Sequence, residues 1–176
     1  MFDMFGFLRD EGISPEIITE IQKFRERFPV EGTLSSRVPE PRYLYYGKDV
    51  WEEAATALLC GENLLLVGPK ATGKNVLAEN LACVFGRPSW DVSFYINTDA
   101  ATLLGTDTFV DGAVSLRKGP IYQCAEKGGF GVLDEINMAK MSLWLCSTPH
   151  WTSAGPSICP AMSGSSSTTP PALSPP

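Results

Sequence analysis

The apolar positions along the chain change period several times, and each change marks an element. Ile17, Ile18, Ile21, Phe24 and Phe28 recur at helical spacing behind Ser14-Pro15-Glu16: a capping hydroxyl, a Pro for the first turn, then an acid. Pro29 ends the run. The pattern predicts an amphipathic helix whose stripe needs a partner, either its own domain or another chain. Residues 30–42, with Gly32, Pro39 and Pro41, read as loop. Asp49 with Glu52 then caps a second helix, with Val50, Trp51, Ala54, Ala57 and Leu58 on its apolar face and Gly61 as its stop. Leu64-Leu65-Leu66-Val67 suits a buried strand, and Val76-Leu77-Ala78-Glu79-Asn80-Leu81-Ala82 suits a helix. Trp90–Asn97 reads as a second core strand, and Ala100–Gly105 opens a helix. Thr108–Leu116 reads as a β-hairpin around Asp111-Gly112. Ile121–Lys127 is helical in pattern and leads into the apolar strand Phe130-Gly131-Val132-Leu133. Strands separated by helices imply a parallel sheet with right-handed crossovers.

The chemistry sits at two strand ends. Between the run 64–67 and the helix from Val76 lies Gly68-Pro69-Lys70-Ala71-Thr72-Gly73-Lys74-Asn75. This is a phosphate-binding loop of the form G-x-x-x-x-G-K-[ST], with Asn in the last position, and strand, Gly-rich turn and helix is the context that gives it meaning. The glycines let backbone N–H groups close around phosphate oxygens. The helix N-terminus adds a partial positive charge and Lys74 a full one. The bland alternative is a glycine turn that holds nothing. About 60 residues beyond the loop, the run from Phe130 ends in two carboxylates, Asp134 and Glu135.

Together, Gly68–Asn75, Lys118-Gly119-Pro120-Ile121 and Val132-Leu133-Asp134-Glu135-Ile136-Asn137-Met138-Ala139 resemble the MoxR-like and dynein-related branch of the AAA+ ATPases, over about residues 43–140. The resemblance implies an α/β fold: a P-loop NTPase core, its parallel sheet flanked by helices, preceded by an N-terminal amphipathic helix. It implies ATP and Mg²⁺ as ligands, with Gly68 to Asn75 and Val76 around the nucleotide. It places Asp134 on the Mg²⁺ and Glu135 as the residue that polarises the attacking water. Asn75 stands where a Ser or Thr hydroxyl would ligate the metal; its carboxamide oxygen is also a hard ligand, on a longer arm. Tyr45-Tyr46-Gly47 falls where such ATPases contact adenine, the alternative being ordinary half-buried aromatics. The hairpin at 108–116 corresponds to an insertion that faces a ring pore or a partner, or is a plain surface hairpin. Members of the branch assemble into rings and remodel protein partners.

Composition narrows this further. The 176 residues allow one domain of ordinary size, and a net charge of −6 argues against a broad nucleic-acid surface. No run of apolar residues is long enough for a membrane span, and the start, Met1–Phe7 followed by Arg9-Asp10-Glu11, lacks the form of a signal peptide. Cysteines at 60, 83, 124, 146 and 159 form no C-x-x-C pair, and Cys60 and Cys83 fall on apolar helix faces as core residues. A reducing, cytoplasmic setting is expected. His150 is the only histidine, which excludes a Ser/His or Cys/His centre in the first 140 residues.

The last 36 residues break the pattern: they hold nine Ser, seven Pro, two Trp and two Cys and no charged residue. Codons read one base out of phase through His150-Trp151-Thr152 force Leu-Asp. The codons around them permit N-E-S-L-A-V-L-H-S-T before that pair and F-R-R after it, strings that resemble the branch's continuation. A one-base frameshift at about Met141 is expected, against a natural variable tail. The domains are then residues 1–42 (helix and linker), 43–140 (partial ATP-binding domain) and 141–176 (disordered tail). On this reading the sensor strand, the arginine finger and the helical lid are missing. Two other functions stay open, an inactive nucleotide-binding or regulatory fragment and a P-loop kinase; the latter needs an acceptor site and a lid.

Overall fold

The computed structural model describes residues 3–110 and 112–138, so the tail and its frameshift reading lie outside the described residues. Among the described residues, six helices and four strands fall in the order α1 (Met4–Asp10), α2 (Pro15–Arg27), α3 (Lys48–Leu59), α4 (Lys74–Phe85), β1 (Ser89–Ser93), α5 (Ala100–Leu104), β2 (Gly105–Val110), β3 (Ala113–Lys118), α6 (Pro120–Lys127) and β4 (Phe130–Asp134). Short 3₁₀ turns occupy Gly32–Arg37, inside the expected loop, and Ile136–Met138. β1 and β4 pair in parallel, Ser89 opposite Phe130 through Ser93 opposite Asp134, with α5, the hairpin and α6 as the crossover. β2 and β3 form a separate antiparallel hairpin, Gly105 opposite Lys118. This is an α/β fold, with a parallel pair between helices, as the alternation of patterns implies.

α2 starts where Pro15 places it, although the Ser14 hydroxyl makes no capping bond. The Ser14 N–H donates instead to Glu52 Oε1 at 2.8 Å. The helix buries Ile18 and Ile21, and its stripe packs within its own domain, against α3 and α4. An aromatic line runs through this interface: Phe28 to Phe24 (4.9 Å between centroids), Phe24 to Phe85 (5.3 Å) and Phe85 to Phe130 (5.7 Å). It ties α2 to α4 and α4 to β4. Phe85 and Phe130 are buried, and a large apolar side chain buried in this way contributes about 1.5–3 kcal/mol. A second cluster, including Val92, Phe94, Leu103, Ile121 and Leu133, joins β1 and β4 to α5 and α6.

Several expectations need correction. α1 was not legible as a helix; the Asp3 carboxylate caps it by accepting from the Gly6 N–H (2.9 Å), and Met4 and Leu8 are buried. α3 is capped by Gly47, with Asp49 inside its first turn, and Val50 is exposed. Cys60 is exposed just beyond α3 and Cys83 only partly buried, so among the described residues the buried thiol is Cys124. Its Sγ donates to the Gly129 carbonyl at 3.2 Å, and burial pushes its pKa up to about 12. The run Leu64–Val67 forms no ladder. Leu64 and Leu66 turn inward and Leu65 and Val67 outward, the alternation of a strand, and the inward pair lines a narrow apolar slot with Leu58, Phe130 and Val132. The run's backbone has no β-partner among the described residues.

The turn into β4 is tightly packed. A Cβ at Gly129 would sit 2.1 Å from Trp90 Cζ3 and 2.4 Å from the Pro88 carbonyl oxygen. Gly129→Ala is therefore expected to destabilise the fold by about 1–3 kcal/mol, as overpacking does. Urea denaturation followed by tryptophan fluorescence checks this; an unchanged midpoint contradicts the packing described.

Candidate nucleotide site

The site is assembled where α4 begins. Gly73 precedes it with φ +82°, a left-handed conformation that glycine adopts without a Cβ penalty. No side chain caps the helix, so its first N–H groups, which lack intrahelical acceptors, are left for water or an anion. Ala71 (φ 65°) and Glu135 (φ 54°) are the non-glycine residues with left-handed backbone among those described. Such a conformation costs about 1–2 kcal/mol for an L-residue. Both fall in the two motifs read from the sequence, which is where stored strain gathers in functional sites.

Lys74 folds back over its own loop. Its Nζ donates to the carbonyls of Gly68 (2.9 Å) and Pro69 (2.7 Å) and lies 3.4 Å from Thr72 Oγ1. Thr72 Oγ1 donates in turn to the Pro69 carbonyl at 3.0 Å. The ammonium is thus held over the concave loop by neutral oxygens, which phosphate oxygens are able to replace. Pro69, Lys70, Ala71 and Thr72 are exposed, while Gly68, Gly73 and Val76 are half-buried.

The second motif meets the first. Asn75 Nδ2 donates to Asp134 Oδ2 at 3.1 Å, across 59 positions of sequence. The Glu135 N–H donates to Asp134 Oδ1 at 2.9 Å. Because a carboxylate only accepts, Asn75 turns its NH₂ rather than its oxygen toward Asp134. Two oxygen-bearing side chains converge here, a donor set that suits a hard divalent cation. Asn75 joins that set as an oxygen ligand only after its amide turns over. Glu135 is exposed beside them.

Of the paired tyrosines, only Tyr45 faces the loop: its ring carbons lie 3.4 Å from where a Cβ on Gly73 would stand. Tyr46 is exposed and edge-on to Phe7 at 5.3 Å. A separate cavity of about 670 Å³, lined by Arg37, Trp90, Asp99, Arg117 and Gln123 among others, includes no residue of the phosphate loop. Sequence reading missed Asn80 and Trp51 as residues that organise this region. The available signal was an amide on the apolar stripe of α4, between Leu77 and Val84.

The region that holds these motifs is also where the chain resembles known proteins. Residues 63–148 match the family described as AAA domain (dynein-related subfamily), a segment that contains the loop, Asp134 and Glu135. The match supports a relation to the AAA+ family over that segment. The chain is 30% identical over 129 residues to the uncharacterized protein YojN of Bacillus subtilis, covering 71% of this chain and 42% of that protein. It is 31% identical over 103 residues to an uncharacterized protein of Staphylococcus saprophyticus, covering 56% of this chain and 39% of that one. The chain thus spans less than half the length of these relatives. A solved structure from Cytophaga hutchinsonii, described as a candidate ATPase, is similar over 88% of this chain and 47% of its own, with 14% identity and a TM-score of 0.45. That likeness is a loose one. No helix among the described residues is long and apolar enough to cross a membrane.

The Asn75–Asp134 bond would compete with a cation bound at the same carboxylate. Asn75→Ser removes the competing donor and supplies a hydroxyl oxygen. It is expected to tighten Mg²⁺-dependent nucleotide binding by roughly threefold to tenfold, the weight of one hydrogen bond. Titration of nucleotide binding against Mg²⁺ checks this; weaker binding in the variant makes Asn75 a ligand in its own right.

Proposed function

We propose that this chain is the nucleotide-binding part of a MoxR-like AAA+ ATPase that binds ATP with Mg²⁺ and, in its complete form, hydrolyses it to remodel a protein partner. The single observation that carries the reading is the 3.1 Å approach of Asn75 to Asp134, which joins the phosphate loop to the acidic strand end. Lys74 exchanges the Gly68 and Pro69 carbonyls for phosphate oxygens, and the N–H groups at the start of α4 take up others. Asp134 and Asn75 would hold Mg²⁺, which when bound neutralises phosphate charge. Glu135, exposed and next to Asp134, draws a proton from the attacking water. Ring assembly and a cytoplasmic setting belong to the same proposal.

One observation favours binding without turnover in the chain as it stands. The segment that carries the phosphate loop has no β-partner among the described residues, and its Leu64 and Leu66 line an apolar slot with Phe130 and Val132 of β4. We infer that a further strand belongs there, and that the sequence out of phase after about Met141 encodes it. On that reading the described residues bind nucleotide and do not by themselves complete the sheet.

Lys74→Ala should weaken Mg-ATP binding by roughly a hundredfold or more, since it removes charge-assisted hydrogen bonds to phosphate. Equilibrium titration with a fluorescent ATP analogue reads this; undiminished affinity removes Lys74 from the site. In a chain continued in the shifted frame, Glu135→Gln should leave ATP binding intact and lower turnover by about 10²- to 10⁴-fold, because the amide keeps the shape and loses the basic oxygen. Phosphate release at the unaltered rate would assign the base elsewhere.

A further inference from the structure

The segment Tyr43–Gly47 belongs to no helix or strand, yet side chains from three other parts of the chain hold its backbone. Asn80, fully buried on α4, donates through Nδ2 to the Tyr43 carbonyl (2.8 Å) and to the Val76 carbonyl (2.7 Å). Its Oδ1 accepts from the Tyr45 N–H at 3.3 Å. Both amide hydrogens and the amide oxygen are thereby used, so the otherwise unfavourable burial of this polar group is compensated. Trp51, also buried, donates from Nε1 to the Tyr45 carbonyl at 2.8 Å. The Gly47 N–H donates to Glu11 Oε1 at 2.8 Å.

Both backbone polar groups of Tyr45 are therefore taken by side chains, and its ring is left against Gly73 of the phosphate loop. Asn80 stands six positions beyond Lys74 on the same helix, about 9 Å along its axis. One rigid element thus carries the phosphate cradle at its start and the anchor of the Tyr45 strap farther along.

We propose that Asn80 and Trp51 are positioning residues that fix the Tyr43–Gly47 strap at a set distance from the phosphate loop, so that the strap reads the nucleoside end of a nucleoside triphosphate. The proposal rests on the nucleotide-binding reading above, in which the resemblance already implies an adenine contact for this strap, and adds to it the two buried side chains that hold the strap in place. No other residue type at position 80 offers two donors and an acceptor at this reach: Asp lacks the donors, and Gln is one methylene longer.

The test compares Mg²⁺-ATP with Mg²⁺-tripolyphosphate as ligands of the full chain, in the wild type, Trp51→Phe and Asn80→Ala. Trp51→Phe keeps an aromatic ring in the core and removes the indole donor together with some buried volume. The wild type should bind ATP at least tenfold more tightly than tripolyphosphate. Each variant should keep its tripolyphosphate affinity within about twofold and lose most of the ATP preference. Variants that retain the wild-type ratio overturn the clamp and leave the phosphate-loop reading intact. Loss of both ligands in both variants makes the two residues merely structural and also overturns it. A wild type that binds neither ligand overturns the nucleotide reading, and the clamp falls with it.

Discussion

The structure turns on the burial of one helix whose first turn must stay open. α4 buries Leu77, Ala78, Asn80, Leu81, Ala82, Val84 and Phe85, so most of its circumference is in contact with the rest of the chain. Its start cannot be buried in the same way, because its uncapped N–H groups need water or an anion. α2 packs on it through Phe24 and Phe85, and β4 reaches it through Phe130. The glycine before Lys74 makes the transition from open loop to buried helix in a single residue. The helix is thus anchored by its second half, and its first turn is free to meet a ligand without disturbing the core.

The periodic parts of this arrangement were legible in the sequence. Ile18 and Ile21 on α2, and Trp51, Ala54 and Leu58 on α3, lie on the faces their spacing predicts. The strand ending at Asp134 and the hairpin near Asp111-Gly112 also fall where patterning places them, with the hairpin's strands running from Gly105 to Lys118. The failures have physical causes. α1 is seven residues long, about two turns, too short for a period to declare itself. Leu64–Val67 has the composition of a buried strand, but a ladder needs a second strand at hydrogen-bonding distance, and none of the described residues supplies it. Cys60 sits at the C-terminal end of α3, where it is exposed among the described residues.

The site was legible as motifs but not as contacts. That Gly68–Asn75 and Asp134-Glu135 belong together follows from their types and order. That Asn75 would spend its NH₂ on Asp134 does not, because the direction of an amide is set by its neighbour in space. Asn80 was invisible for a related reason. A polar residue on an apolar stripe announces that some buried partner exists, but only the fold reveals that its partners are the Tyr43 carbonyl and the Tyr45 N–H. Local strain likewise belongs to the fold, as Glu135 takes left-handed backbone directly after a regular strand.

The central claim is that residues 68–75 bind phosphate at the open start of α4. A titration of the isotopically labelled chain with Mg-ATP, followed by amide NMR, tests it most directly. The account predicts that the largest shifts fall on the N–H groups of Ala71, Thr72, Gly73, Lys74 and Asn75, with smaller ones at Tyr45. Shifts confined to the neighbourhood of Arg37 and Trp90, or no shifts at all, would contradict it.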